Sequence, residues 1–241
     1  MCTVTFIPQG KGNFILSSNR DEAAARSPKN ISSIEQDGIR LVFPRDSKAG
    51  GTWIAMSETG RVVCLLNGAF VKHQHQPPYK KSRGIMVLDV FRYDSLNQFL
   101  ENYDFEGMEP FTMVLVDDNE LYELRWDEKE KYIKALNFDR QYIWSSATLY
   151  TPQIQQMRAE WFNEWLHDRI DFGLEAIQDF HFNGGKKDTW NGFIMNRLNL
   201  VQTVSHTNII RSDMELKLLY NDLINNATRL EALALIEKVI H

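Results

Sequence analysis

The chain is expected to fold as an α+β protein in which sheets stack face to face under a cover of helices. Three observations predict this. Short β-branched and aromatic runs alternate with tight-turn residues, two blocks of helical spacing lie between and after those runs, and no linker, repeat or low-complexity tract divides the chain. With 241 residues, 43% of them hydrophobic, one core spanning residues 1–241 is the expectation.

In chain order, Thr3 to Ile7 is β-branched and aromatic, Gly10-Lys11-Gly12-Asn13 supplies turn chemistry, and Phe14-Ile15-Leu16 resumes, which predicts a hairpin from residue 2 to about residue 18. Further strands are predicted at Leu41–Phe43, Thr52–Met56, Val62–Leu66, Phe111–Val116, Leu121–Trp126, Tyr132–Leu136 and Gln141–Trp144. Helical spacing runs from Gly84 to Tyr103 with a break near Asp94-Ser95, where Ser95 can cap a second helix. Thr151-Pro152 opens the stronger helix, with Ile154, Met157, Trp161, Trp165 and Leu166 on one face. Asn183 to Gly192 reads as a loop, Phe193–Asn196, Leu200–Val204 and Leu216–Tyr220 as strands, and Thr228 to Ile240 as a closing amphipathic helix.

Composition excludes several classes of function. The net charge is -5 and the basic residues are scattered, so the chain offers no electrostatic footprint for nucleic acid. The N-terminus has no positive region ahead of a long apolar run, which makes a cytoplasmic protein without a transmembrane segment the expectation. Cys2 and Cys64 are the only cysteines, too few for a disulfide framework or a cysteine zinc knuckle. His73-Gln74-His75 lies in a Pro-flanked loop without a metal-ligand pattern, so no metal and no cofactor is predicted.

Cys2 is the residue that suggests chemistry. Removal of Met1 leaves it with a free α-amine, whose reference pKa of about 7.7–8.0 suits it to take the thiol proton, so nucleophile and base share one residue. A cysteine at a strand start is by itself an ordinary packing residue. The hairpin alters that balance, because its second strand ends in Asn19-Arg20-Asp21-Glu22 and returns beside Cys2. There a carboxylate can hold the α-amine and a guanidinium can favour thiolate.

These residues resemble the NRDE-motif family of Transport and Golgi organisation protein 2. The resemblance continues through Gly50-Gly51-Thr52-Trp53, the strand from Gly60 to Asn67, Ser82-Arg83-Gly84, Leu121-Tyr122, and Trp144-Ser145-Ser146 to Thr151-Pro152. That family in turn resembles cysteine N-terminal-nucleophile (Ntn) hydrolases of the choloylglycine hydrolase and penicillin V acylase type. The resemblance implies a four-layer αββα sandwich, a catalytic set of Cys2, Arg20, Asp21 and Asn67, and substrate contacts from Asn19, Trp53, Arg83 and Ser146. Asn67 is the implied oxyanion donor. Two departures stand out: Ser146 occupies a position where the hydrolases carry Asn, and Val204 lies where they carry Arg.

Two functions follow as expectations. One is a cysteine Ntn hydrolase or acyltransferase acting on an amide or thioester of a small molecule. The other is a non-catalytic binding or trafficking module for haem or acyl lipids, which the resemblance also suggests. The predicted partner is accordingly a small-molecule amide, acyl or haem-like ligand, and the sequence does not exclude a homo-oligomer.

Overall fold

The computed structural model describes residues 3–28 and 30–236. The elements in order are β1 (Thr3–Gly10), β2 (Asn13–Glu22), β3 (Ile31–Gln36), β4 (Ile39–Pro44), β5 (Ile54–Ser57), β6 (Val62–Asn67), α1 (Arg83–Asp89), α2 (Leu96–Asn102), β7 (Phe111–Asp117), β8 (Glu120–Trp126), β9 (Lys131–Leu136) and β10 (Tyr142–Ser145). They continue with α3 (Pro152–His167), α4 (Leu174–Asn183), β11 (Asn196–Arg197), β12 (Val201–Arg211), β13 (Glu215–Asp222) and β14 (Ala227–Ala234). Among the described residues the strands form two seven-stranded antiparallel sheets. Sheet A runs β10-β1-β2-β12-β13-β14 with β11 beside β12, and sheet B runs from β3 to β9 in sequence order.

Alternation along the strands builds the layers. In β1 and β2, Val4, Phe6, Phe14 and Leu16 point inward against Ile54, Met56, Val62 and Cys64 of sheet B, forming the central core. On the opposite face, Ile7 and Ile15 meet Phe162 of α3 and Phe180 of α4. Sheet B turns Phe43, Val63, Met113 and Leu115 outward onto Val87 of α1 and Phe99 and Leu100 of α2. Helices, sheet, sheet and helices therefore stack as the expected αββα sandwich.

Local signals hold where they have a chemical mechanism. Ser95 caps α2 by accepting from the Gln98 N–H, and Thr151 caps α3 by accepting from the Ile154 N–H with Pro152 in the first turn. The hairpin forms with Lys11 and Gly12 at positive φ in its turn, but β2 continues through Glu22, so Asn19 to Glu22 lie within the strand rather than after it.

Two expectations are corrected. The segment expected as a closing helix is β14 over Ala227–Ala234, paired along β13; residues 237–240 lie outside the described set. Its Leu, Glu and Ala residues favour helix, yet β13 presents an open edge, and Leu233 reaches the central core opposite Leu216. Phe193–Asn196 is not a strand up to Asn196, because Phe193 is drawn down against Phe180 and Trp161 while its N–H donates to the Gly184 carbonyl. β3 and α4 are additional elements. The helical spacing of Ala176, Ile177, Phe180 and His181 is readable in the sequence, whereas β3 is a half-exposed edge strand with little apolar signature.

Candidate active site between the sheets

β2 separates the signature segment by parity. Asn19 and Asp21 face α3 and α4, while Arg20 and Glu22 face the space between the sheets. The strand start at Thr3 pairs with Asn19 on one side and Ser145 on the other. Cys2 lies outside the described residues, and so do the expectations for its sulfur and amine; in the chain it is one peptide bond from Thr3.

The inter-sheet side opens into a cavity of about 430 Å³. Four segments singled out in the sequence converge on it: β2 with Arg20 and Glu22, the turn from Gly51 to Trp53, the end of β6 with Asn67, and the start of α1 with Ser82 and Arg83. The two glycine-bearing segments meet backbone to backbone, the Thr52 N–H donating to the Gly84 carbonyl at 3.0 Å. A Cβ on Gly51 would lie 2.3 Å from the Gly84 carbonyl carbon, so only glycine permits this approach.

Arg20 is held from every side. Its guanidinium donates to Asp46 at 2.6 Å and to the Arg26 carbonyl at 2.7 Å, and it lies 4.3 Å above the Trp53 ring. Burial lowers its pKa, with Asp46 and Glu22 opposing that shift. Arg26 bridges Glu22 and Asp46 at 2.6 and 2.8 Å, closing a four-membered ionic knot. Burial pushes the Asp46 carboxyl up, but the Ala49 N–H together with Arg20 and Arg26 outweighs it and holds the group below its ordinary value.

Arg83, on the facing wall, pairs with Glu109 at 2.9 Å and donates to the Pro110 carbonyl at 2.7 Å; burial lowers its pKa and Glu109 opposes the shift. Glu109 also meets His73 at 3.0 Å and His75 at 3.3 Å. Among the described residues, no group of three or more His, Cys, Asp or Glu side chains is arranged to hold a metal ion.

Asn67 lines the cavity, and its carbonyl accepts a 2.8 Å hydrogen bond from the Ser146 hydroxyl, which also lies 3.0 Å from the Thr148 hydroxyl. Ser146 is 1% exposed and acts on Asn67 rather than opening to the cavity. Trp53 is both cavity wall and core, since it also packs in the central cluster.

On the helix side, the Asp21 carboxylate accepts from the Tyr150 hydroxyl at 2.8 Å and the Thr203 hydroxyl at 2.7 Å. Asn19 departs from the expected ligand contact: fully buried, it gives its amide hydrogens to the carbonyls of His181 and Phe193, and its oxygen lies 3.0 and 2.7 Å from Nδ1 of His181 and His206. Burial depresses both imidazoles, His181 well below its ordinary value and His206 to about 4.

Arg158, which the sequence reading passes over, reaches this layer from α3. It is fully buried, donates to the Thr3 hydroxyl at 2.6 Å, and stacks on Tyr150 and Phe193. Its signal is an arginine on the line of Ile154 and Phe162 along one helix face. Val204 is buried at a bulge between β12 and β2 and brings no guanidinium to the site. Cys64 packs in the central core with its thiol pushed up to about 12 by burial, as expected for an inert cysteine.

An αββα sandwich with a cleft between its sheets at the end of the first hairpin defines the Ntn-hydrolase class of fold. The chain is similar in fold to a Caenorhabditis elegans N-acylethanolamine-hydrolyzing acid amidase ortholog, at TM-score 0.60 and 13% identity, covering 87% of this chain and 92% of that one. It is also similar to a variant of conjugated bile acid hydrolase from Clostridium perfringens (TM-score 0.56, 12% identity, 100% and 98% covered). A second mutant form of that hydrolase gives a TM-score of 0.54 at 11% identity, with 96% and 92% covered. No curated protein matches the chain by sequence. The chain belongs to the Transport and Golgi organisation 2 family, whose model matches residues 1–221.

Proposed function

We propose that the protein is an Ntn cysteine hydrolase or acyltransferase in which Cys2, freed by loss of Met1, attacks an amide or thioester carbonyl of a small molecule. The observation that carries this reading is the convergence of Arg20, Trp53, Asn67 and Arg83 from four separate segments on one cleft, at the end of the hairpin where Thr3 pairs with Asn19. The family assignment and the shared fold support it.

In this mechanism the α-amine takes the thiol proton and the thiolate forms a bond to the carbonyl carbon. The Asn67 side-chain amide stabilises the oxyanion, the residue's backbone carbonyl being held by the Ser146 hydroxyl. Collapse breaks the bond to the leaving group, which departs with the proton held by the α-amine, and water or another acceptor then releases the acyl group. Arg20, paired with Asp46 and stacked over Trp53, fixes one wall of the cleft, while Asp21, tied to Tyr150 and Thr203, orients the end of the hairpin.

Turnover by the processed protein on a panel of amides and thioesters tests this. Cys2→Ala is expected to abolish it with the fold intact, and a bulky residue inserted between Met1 and Cys2 to abolish it although the thiol survives. Equal turnover by the inserted variant removes the α-amine from the mechanism. No turnover by processed wild type, with haem or acyl ligands still bound by Cys2→Ala, establishes a binding module instead.

A further inference from the structure

Taking the cleft as the substrate site of the proposed reaction, we infer that it accepts a compact anionic acyl group, one ending in a carboxylate, and that Lys81 is the residue that selects it. The walls of the cleft are ionic. The lining holds four cations, Arg20, Arg26, Lys81 and Arg83, against three carboxylates, Glu22, Asp46 and Glu109; the fourth cation, Lys81, is paired with Asp89, which lies outside the lining. A lining with one cation more than its own carboxylates favours an anion that takes the place of Asp89.

The apolar lining, Ala49, Trp53, Leu65 and Tyr79, is interrupted by these ions, and the Arg20 guanidinium lies 4.3 Å over the Trp53 ring. A long alkyl chain would strip water from the ionic knots without offering a hydrogen bond in return, a substitution that costs free energy for each polar group left short of partners. A cavity of about 430 Å³ also lies toward the small end of ligand pockets.

The lining cations differ in freedom. Arg20 and Arg83 are buried in short ion pairs and hydrogen bonds to backbone carbonyls. Lys81 has a side chain 41% exposed; among the described residues its ammonium pairs with the Asp89 carboxylate at 2.7 Å and lies 5.9 Å from the centre of the Tyr103 ring. Asp89 keeps the Tyr103 hydroxyl at 2.8 Å when the ammonium leaves, so the half-exposed ammonium can exchange it for a ligand carboxylate at little cost. Its long flexible stem suits it to that exchange.

The test uses the processed full chain and three 4-nitroanilides whose acyl groups are glutaryl, pentanoyl and hexadecanoyl. The expected result is a kcat/KM for the glutaryl compound at least tenfold above that for pentanoyl, falling as salt is added, with hexadecanoyl poorest. Lys81→Gln should raise KM for the glutaryl compound severalfold and leave the pentanoyl compound unchanged. Preference for pentanoyl or hexadecanoyl overturns the inference while the amide hydrolase reading stands. If no anilide is turned over, the amide and thioester panel above decides that reading, and calorimetric titration of Cys2→Ala with glutarate decides the inference separately. Binding weakened by Lys81→Gln supports it, and no binding, or binding indifferent to Lys81, overturns it.

Discussion

The two faces of the sandwich are built from different materials. Sheet B meets its helices through an apolar layer in which Phe99, Phe105, Phe111, Met113 and Trp126 pack together. Sheet A meets its helices partly through apolar contacts and partly through a buried polar layer of Thr5, Asn19, His181, His206 and Asn208. An apolar layer tolerates small shifts, because its attraction has no direction, whereas hydrogen-bonded groups in a low dielectric fix position and are costly when left unpaired. Sheet B is therefore a scaffold for stability. The polar layer of sheet A sets where β2 lies, and with it the placement of Arg20 and Asp21.

The largest expected effect breaks the scaffold. Phe99→Ala should cost about 3–5 kcal/mol through the cavity it leaves, with activity per folded molecule unchanged below the unfolding transition. Denaturant titration paired with an assay of the folded fraction measures both. Asn19→Ala should show the opposite balance. It leaves the His181 and Phe193 carbonyls and both imidazoles short of a partner, at a cost of about 1–3 kcal/mol for each group that water cannot reach. Activity should fall by more than the loss of folded protein explains. If Asn19→Ala behaves like Phe99→Ala, the polar layer is only packing.

A third effect concerns pH. His181 and His206 are depressed in the folded protein relative to about 6.5 in the unfolded chain, so the unfolded state binds more protons as pH falls. Stability held above about pH 6.5 should be lost as pH falls toward the folded value of about 4 for His206, by about 1.4 kcal/mol per pH unit for each histidine. His206→Phe should flatten that slope by one histidine's share in urea titrations between these limits, and an unchanged slope would mean the imidazole is charged in the native protein. The smallest effect is expected from Ser146→Ala, about 1 kcal/mol of stability with a severalfold fall in kcat, because the Asn67 backbone loses the donor on its carbonyl and the residue is placed less firmly. A variant with unaltered kcat would detach Ser146 from the site.

The elements readable in the sequence are those whose signals are local. The hairpin turn, the Thr151-Pro152 helix start and the Ser95 cap each depend on a few neighbouring residues, and each forms where expected. β14 was not readable as a strand, because residues with good helix propensity were recruited by the open edge of β13, a partner supplied from elsewhere in the chain. For the site, the sequence supplies Arg20, Asp21, Asn67, Trp53 and Arg83 as candidates. It does not indicate that Asp46 and Glu109 neutralise the two arginines, or that Ser146 serves the Asn67 carbonyl.

By itself the sequence determined the α+β class, the hairpin at the start and the chemical identity of the signature residues, since alternation, caps and turns act over a few residues. Only the tertiary structure decided which side of β2 each signature residue serves. Parity places Arg20 opposite Asn19, but which face becomes cleft and which lies beneath helices depends on how the two sheets and their helices pack. That packing makes Asn19 an anchor beneath α4, makes Arg20 part of an ionic wall, and leaves Lys81 as the freest of the cations around the cleft.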